Sequence, residues 1–505
     1  MKKIKTALIS VYHKDQLDTI VRCLNNQDVV LYASGGTYDF IINEGIPATK
    51  IDEITGYPSI LGGRVKTLHP KIFGGILARR DEAADNEQLV EYDIPHIDLV
   101  IVDLYPFEQT VALGNPVEKV IEQIDIGGVS LIRAAAKNFK DVLVVPSRLH
   151  YTALLNILEE QSGKTSLETR KEFAKQAFAT SSHYDTMIYQ YFSEGDKKSC
   201  FRESCDSRFP LRYGENPHQQ GVFFGNFDKL FTQLNGKTVS YNNLLDIDAA
   251  IDLINDFTEK PTIAIIKHNN ACGCASSGDL TEAWQKALAS DPVSAFGGIV
   301  VMNRTLDEKT AEAINKIFTE IVIAPEFDHN ALALLSQKKN CIILQHKPFH
   351  GTLTTYRSVL NGTLVQEKDM ITETINDIKV VTECKPDLEI NDLLFANKLV
   401  KHTKSNAIVL VKDNQLIGNG VGETARVDAL KHAVEKAHNF NFDLNNAVMA
   451  SDALFPFDDC VEIAHKAGIT AVIQPGGSIR DQDSIDYCNQ HNMVMLFTGY
   501  RHFKH

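Results

Sequence analysis

The chain has 505 residues, 44% apolar and 23% charged, proportions that suit a globular protein with room for about three units of ~150 residues. Its formal net charge of −14 argues against a general attraction to nucleic acid or anionic membrane, so any phosphate site must be a local basic pocket. Nine scattered cysteines without a C-x-x-C pair read as free thiols in a reducing cytoplasm, Met1-Lys2-Lys3 runs into a strand pattern instead of a signal peptide, and no apolar run nears the ~20 residues of a bilayer span.

The first ~145 residues alternate strand and helix patterns. Thr6–Val11 and Val29–Ala33 read as strands on either side of an amphipathic helix, Asp15–Asn25. Ile97–Tyr105 is a third strand, Val117–Ile124 and Val129–Lys137 are helices, and Val142–Val145 is a fourth strand. Such alternation implies an α/β unit with a mostly parallel sheet and sites at the carboxyl ends of its strands. Three polar clusters fall at those ends. Ser34-Gly35-Gly36-Thr37 opens a helix whose N–H groups suit a phosphate, although Gly-Gly is also a common turn. Gly62–Pro70 is turn-rich and offers Arg64, Lys66, Thr67 and His69. Asp125-Ile126-Gly127-Gly128 leads into a helix on which Arg133 and Lys137 share a face, ordinarily a solvated basic face.

Residues from ~148 to ~194 are helical in pattern, with Arg170–Phe192 the longest element. The polar stretch Gly195–Ser207 reads as a linker, which places a domain boundary near residue 195. Arg212, Tyr213 and His218 share an irregular loop, Leu211–Gln219, suited to ligand contact. Ile263–Ile266 reads as a buried strand running into Lys267-His268-Asn269-Asn270. In a regular strand Lys267 and His268 would face opposite ways, but Asn269-Asn270 and Gly273 suggest that the strand ends at the pair. There the Lys suits a developing oxyanion and the His suits proton transfer near neutral pH. The plainer alternative is a capped strand with a solvated Lys and a hydrogen-bonded His. A faint echo suggests a duplicated subdomain: Lys267-His268 precedes Ser290-Asp291 and Phe296, as Lys401-His402 precedes Ser451-Asp452 and Phe457. The tail Thr498–His505 is rich in aromatic and basic residues and suits docking in a site better than fraying. His268, Cys272 and Cys274 raise a zinc alternative, but their spacing lacks the deaminase H-x-E and P-C-x-x-C elements, so no catalytic metal is expected.

These motifs, with Leu104–Phe107, Ser290–Gly298, Lys404-Ser405-Asn406, Ser451–Phe457, Gln474–Ser478 and Arg501–His505, resemble the AICAR transformylase/IMP cyclohydrolase family over essentially the whole chain. The resemblance implies a methylglyoxal-synthase-like parallel-sheet domain over about residues 1–195 (core about 1–147). Two cytidine-deaminase-like α/β subdomains without the deaminase zinc would follow over 196–505. It implies formyl transfer from the cosubstrate 10-formyltetrahydrofolate to AICAR, then dehydrative closure of FAICAR to IMP. It also implies a cytoplasmic homodimer with shared transformylase sites, binding these nucleotides and reduced folate but no nucleic acid and no membrane.

By the same resemblance His268 handles the proton in transfer, Lys267 offers charge to the oxyanion or the leaving folate nitrogen, and Asn406 orients the formyl group. Arg212, Tyr213, Arg501 and His505 hold the nucleotide, and Phe296 and Phe457 give apolar or stacking surface. For cyclisation Lys137 stabilises the oxyanion, Asp125 orients or deprotonates the amide and Tyr105 assists proton transfer. Ser10, Lys14, Ser34, Gly36, Thr37, Arg64, Lys66 and Thr67 bind the nucleotide and its phosphate, and Lys66 is also a catalytic candidate. Two residues depart from the family pattern. Ala271 replaces the usual Pro, which predicts a looser turn after the Lys-His pair, and Tyr12 replaces a Ser near the cyclohydrolase phosphate site. The competing readings are a chain retaining one activity and a noncatalytic nucleotide-binding protein.

Overall fold

A mostly apolar run suits the inside of a sheet covered on both faces, and Thr6–Val11 (β1), with Ala7, Leu8, Ile9 and Val11 buried, takes that place in the first unit. The computed structural model describes residues 1–193, 200–348, 353–387 and 389–505. They form two units, Met1–Asp206 and Ser207–His505. The boundary expected near residue 195 falls in 194–199, outside the described residues. The segment from 200 to 206 joins the first unit, where Gln190 donates to the Arg202 carbonyl (2.8 Å) and Ser204 Oγ lies 2.8 Å from His183 Nδ1.

In the first unit β1 lies between Val30–Ala33 (β2) and Leu99–Asp103, with Thr49–Lys50 (β3) beyond β2. Leu99–Asp103 (β4) pairs in turn with Leu143–Val145 (β5), and all neighbours run parallel. The order β3-β2-β1-β4-β5 reverses direction at β1, so the chain leaves the carboxyl end of β1 one way and returns to its other side at β4. A crevice at such a switch point is where parallel α/β sheets bind ligands. Two helices begin at its rim, Gly35–Asn43 (α1) and Gly127–Lys137 (α2). The long helix Leu167–Phe192 (α3) packs along α2 and is pinned by buried Arg170, which donates to the carbonyls of Phe139, Lys140 and Thr165 at 2.8–2.9 Å.

The second unit is organised by a twelve-stranded sheet that is nearly a palindrome. In the first half Tyr241–Asn255 (α4) precedes an antiparallel hairpin, Thr262–Lys267 (β6) and Asn270–Ser276 (β7), followed by Leu280–Ser290 (α5). Parallel strands Ile299–Met302, Ile321–Ala324 and Ile342–His346 follow outward. In the second half Glu389–Lys401 (α6) precedes the hairpin Ile408–Lys412 (β8) and Gln415–Gly420 (β9), then Arg426–Asn439 (α7). Strands Val448–Ser451, Ala471–Gln474 and Val494–Phe497 follow in parallel. The two hairpins meet where β7 pairs with β9.

The duplication is therefore real, but its register differs from the echo that suggested it. Both hairpins turn through two residues at positive φ, His268 and Asn269 (50° and 65°) in one and Asp413 and Asn414 (both 54°) in the other. Lys267 thus corresponds to Lys412, whereas Lys401-His402 closes helix α6. Both hairpins shift register one step in from the tip, and both have a glycine in the second strand, Gly273 and Gly418. An added Cβ at either would collide with a carbonyl of the following helix, Ala287 or Ala433, so the glycine serves close helix–strand approach. Gly273 is accordingly no turn signal, and the chain beyond His268-Asn269 continues as β7. Ala271 lies in that strand, buried and paired with Ile266, with its carbonyl accepting from Asn419 (2.9 Å), so the position of the missing proline is in β7 and outside the two-residue turn.

Candidate functional site

The switch point of the first unit opens as a cleft of about 680 Å³. Ser10 from β1 and Ser34 after β2 approach through their hydroxyls at 3.1 Å. Ser34 is extended and α1 starts at once after it with no side-chain cap; the Thr37 N–H turns back to the Ser34 carbonyl (3.0 Å), and Ser34, Gly36 and Thr37 line the cleft, so the helix start there suits an anion. Gly35 takes φ +45°, and a Cβ there would stand 3.5 Å from the Lys66 ammonium, so Lys66 lies over the helix start. Lys14 donates to the carbonyls of Val11 (2.5 Å) and Tyr12 (3.1 Å) and reaches Thr37 Oγ1 at 3.5 Å. Burial lowers the Lys14 pKa and Lys66 adds to this, while Asp103 opposes it. Arg64, also at the cleft, is paired with Glu122. A net-acidic chain thus keeps two ammonium groups and a helix start together, the local basic pocket that its charge demanded.

Across the cleft Asp125 is buried at the start of α2, its carboxylate accepting from the N–H groups of Gly128 (2.5 Å) and Val129 (3.3 Å). A Cβ at Gly127 would stand 2.7 Å from Thr67 Oγ1 and one at Gly128 would meet the Asp125 carboxylate, so both glycines bring the helix start against polar side chains. Burial raises the Asp125 pKa; the Gly128 and Val129 N–H groups and Lys66 hold it back. Tyr105 lines the same wall, with its pKa raised by burial, by Asp125 and by Tyr12. The Tyr12 ring stands edge-on to Tyr105 at 5.6 Å, so this departure extends the aromatic wall, and it is its carbonyl that serves Lys14.

Sequence reasoning missed Tyr184 on α3, whose hydroxyl accepts the Asp125 N–H (2.9 Å) and donates to the Gln123 carbonyl (2.5 Å), fixing the Asp125 segment. It also missed Asp103, which ends β4 in the cleft and accepts from His13 (2.6 Å); a carboxylate closing an apolar strand was the available signal. Two residues singled out in the sequence do not line this cleft. His69 caps the helix Pro70–Leu77, accepting from Lys71 N–H at 3.2 Å. Lys137 is exposed at the far end of α2, about 15 Å from Gly127 at 1.5 Å per residue, and does not line the cleft. Arg133, on its face, lies over the Phe178 ring at 5.7 Å.

In the second unit Lys267 ends β6 and His268 is the first residue of the turn, exposed at the hairpin tip. Lys267 donates to the Phe296 carbonyl (2.9 Å), and the exposed Phe296 ring lies 5.4 Å from that of Phe318. Asn270 accepts from Lys404 N–H (3.1 Å) and so ties the tip to the 404–406 loop. Asn406 follows a cis peptide, and its amide is engaged, accepting from buried Arg426 (2.8 Å) and donating to the carbonyls of Glu423 (2.9 Å) and Thr424 (3.2 Å). The tail reaches the same loop: Ser405 N–H donates to the Lys504 carbonyl (2.8 Å) and Lys504 N–H to Ser405 Oγ (3.0 Å).

The structure does not join every candidate to the pair. Arg212 stacks on Tyr213 at 4.7 Å, Phe457 lies under Arg480 at 5.1 Å, and Arg501 covers Phe503 at 4.4 Å with His505 5.6 Å from that ring. None of these contacts includes Lys267 or His268. His402, part of the sequence echo, binds Asp256 (2.7 Å) beside Lys401 (3.0 Å). Burial would raise the Asp256 pKa, but the His402 hydrogen bond and the Lys401 ammonium hold it down at about 2; burial lowers the His402 pKa in turn, so the ion pair here is Lys401–Asp256 with His402 hydrogen-bonded to it. Cys272 and Cys274 are buried within β7 and burial pushes both thiols up, Cys272 to about 12. Among the described residues no three His, Cys, Asp or Glu side chains gather to hold a metal.

Fold and site together define a two-part enzyme: a nucleotide-type cleft in a parallel α/β unit, and a duplicated unit presenting a Lys-His tip. Residues 16–130 match the MGS-like domain and residues 135–436 match the family described as the AICARFT/IMPCHase bienzyme. The chain is 59% identical over 505 residues to the bifunctional purine biosynthesis protein PurH of Bacteroides thetaiotaomicron, covering 100% of this chain and 99% of that one. Proteins of the same name from Caldicellulosiruptor saccharolyticus and Acetivibrio thermocellus are 48% and 47% identical, each alignment covering 99% of this chain and 100% of theirs. The chain belongs to the AICARFT/IMPCHase bienzyme family. It is a bifunctional enzyme of purine biosynthesis with transformylase and cyclohydrolase activity, and its family uses a folate cosubstrate.

Proposed function

We propose that the first unit closes FAICAR to IMP and that the second transfers the formyl group of 10-formyltetrahydrofolate to the 5-amino group of AICAR. The observation that carries the first assignment is the cleft itself, with an anion seat at Ser34–Thr37, Lys14 and Lys66 at one end and buried Asp125 with Tyr105 at the other. The nucleotide phosphate sits on the seat with Ser10, Thr67 and Arg64 around it. The carboxamide nitrogen attacks the formyl carbon, forming the C–N bond, and Asp125 takes the amide proton. Lys66 carries the positive charge beside the oxyanion, a role that its position suits better than that of Lys137 at the distant helix end. The oxyanion takes up a proton to give the carbinolamine; Tyr105 then delivers a proton to its hydroxyl, which leaves as water while the former formamide nitrogen forms the C=N bond and gives up its proton, restoring the tyrosine. Holding both reacting groups in one cleft supplies much of the acceleration, because the attack is intramolecular.

In transfer the AICAR amine attacks the formyl carbon, the bond to the folate nitrogen breaks, and the amine must lose a proton. His268 accepts that proton and Lys267 stabilises the oxyanion or the leaving nitrogen. Asn406 holds the 404–406 loop beside the tip; its engaged amide favours this supporting part over direct contact with the formyl group. As the family resemblance implies, Arg212, Tyr213, Arg501 and His505 hold the nucleotide, Phe457 gives it an apolar surface, and the enzyme works as a homodimer whose transformylase sites draw residues from both copies. The family resemblance implies a cytoplasmic setting; no helix among the described residues is long and apolar enough to cross a membrane.

Two variants test the division of labour. Asp125→Asn given AICAR and 10-formyltetrahydrofolate accumulates FAICAR, whereas His268→Ala consumes no folate yet cyclises added FAICAR. IMP formation from AICAR and 10-formyltetrahydrofolate at a normal rate by either variant removes the corresponding assignment.

A further inference from the structure

Each half of the second unit carries the same device, a carboxylate on the helix before the hairpin that grips the hairpin tip. In the second half Asp392 on α6 accepts both tip N–H groups, from Asp413 at 2.8 Å and Asn414 at 2.6 Å. That tip is closed in, since the Asn414 carbonyl accepts from Ser276 N–H at 3.0 Å and the Asp413 carbonyl faces Lys286 at 3.4 Å. In the first half Asp246 on α4 accepts only the Asn269 N–H, through Oδ1 at 2.7 Å, and among the described residues nothing donates to Oδ2. Its tip is open, with His268 exposed. Two successive non-glycine residues at positive φ persist only where their surroundings hold them. Asp246 supplies that hold at the one tip that carries the Lys-His pair. Burial raises the Asp246 pKa, while the Asn269 N–H and the charges of His268 and Lys267 favour its ionised form.

We propose that Asp246 is a positioning residue for formyl transfer, its carboxylate clamping the Asn269 N–H so that Lys267 and His268 keep the geometry of the tight turn. Its twin Asp392 performs the same clamping with no chemistry attached, which makes the duplicated half an internal control. The inference rests on the assignment of His268 to proton transfer.

The test uses the full-length enzyme, with kcat and KM for AICAR and 10-formyltetrahydrofolate measured beside the cyclohydrolase rate of the same preparation, which counts folded protein. Misplacing a reacting group by about 1 Å costs on the order of a hundredfold, so Asp246→Ala is expected to lose ~30–100-fold in transformylase kcat with both KM values within ~3-fold. Asp246→Asn keeps an acceptor oxygen for Asn269 and is expected to recover to within ~5-fold of wild type. Asp392→Ala is expected to lower Tm at least as much as Asp246→Ala while leaving transformylase kcat within ~2-fold. Near-normal kcat in Asp246→Ala, or an equal loss in Asp392→Ala, overturns the proposal. Should Asp246→Ala not fold, Asp246→Ser, too short to reach the N–H, is read by the same two outcomes. His268→Ala separates the premises: normal transfer there removes the role of His268, whereas an inactive His268→Ala beside an unaffected Asp246→Ala removes only the clamp.

Discussion

The docking of the C-terminal tail should titrate through one histidine. His502 is 3% exposed, with Nδ1 2.6 Å from Asp369 and Nε2 2.9 Å from Glu373, so both ring nitrogens donate to carboxylates and the imidazolium is the form that fits. Burial works against that charge, but the two hydrogen-bonded carboxylates prevail and raise the pKa to about 9 from an ordinary 6.5. At 1.36 kcal/mol per pKa step the gap is worth about 3 kcal/mol, or a few hundredfold in the docking equilibrium. Because the folded pKa is the higher one, this stabilisation is complete below pH 6.5 and is lost as pH rises through 9. Hydrogen exchange reads it at two amides that depend on docking, His502 N–H to the Asp452 carbonyl and Lys504 N–H to Ser405 Oγ, both 3.0 Å. Their protection factors should fall by about two decades between pH 7 and pH 10 relative to β6 amides, and transformylase activity should decline with them while cyclisation persists. In His502→Gln the two protection factors should be low already at pH 7 and flat with pH. Protection that is flat in the wild type, or unchanged in His502→Gln, would refute the reasoning.

Other perturbations follow from the same geometry. Asp125→Asn should lose ~100–10,000-fold in cyclisation while its Tm at pH 7 stays level or rises, because burial disfavours the native charge and Asn still accepts from Gly128 and Val129. In the wild type the cyclisation rate should fall as pH drops through a carboxyl pKa above the ordinary Asp range, and a limb at or below that range would contradict Asp125 as the base. Lys66→Met should reduce FAICAR closure on the order of a hundredfold and Lys137→Met by less than ~3-fold; the reverse ranking would move the oxyanion charge to Lys137. Gly273→Ala should cost about 1–3 kcal/mol by forcing β7 off the Ala287 carbonyl, measured by urea unfolding, and an unchanged midpoint would contradict that packing.

The parts of the fold that follow from local apolar pattern were legible in the sequence. β1, β4 and β5 are short, mostly apolar runs, and such runs are buried wherever the sheet is covered on both faces. The place of Ser34-Gly35-Gly36-Thr37 was equally readable, since a Gly-Gly after an apolar strand marks a strand–helix junction, and that junction lines the cleft. The hairpin tip was not, because His-Asn in a two-residue turn lacks the Asn-Gly pair that normally marks one, and Gly273 imitated a turn while serving helix packing. The duplication was sensed through the wrong residues: side-chain identities drift between the halves, whereas the bulge, the close-approach glycine and the clamping carboxylate keep their places. Which end of α2 lies at the cleft was not readable from a motif on the helix, and Tyr184 and Asp246 make hydrogen bonds across 59 and 23 residues of sequence that no local pattern connects.

The most direct test of the account is to give the purified enzyme AICAR and 10-formyltetrahydrofolate and separate FAICAR, IMP and tetrahydrofolate over a single time course. The account predicts IMP and tetrahydrofolate rising together in equal amounts with FAICAR only transient. Folate left unconsumed while added FAICAR is still cyclised, or FAICAR that accumulates without IMP, would contradict it.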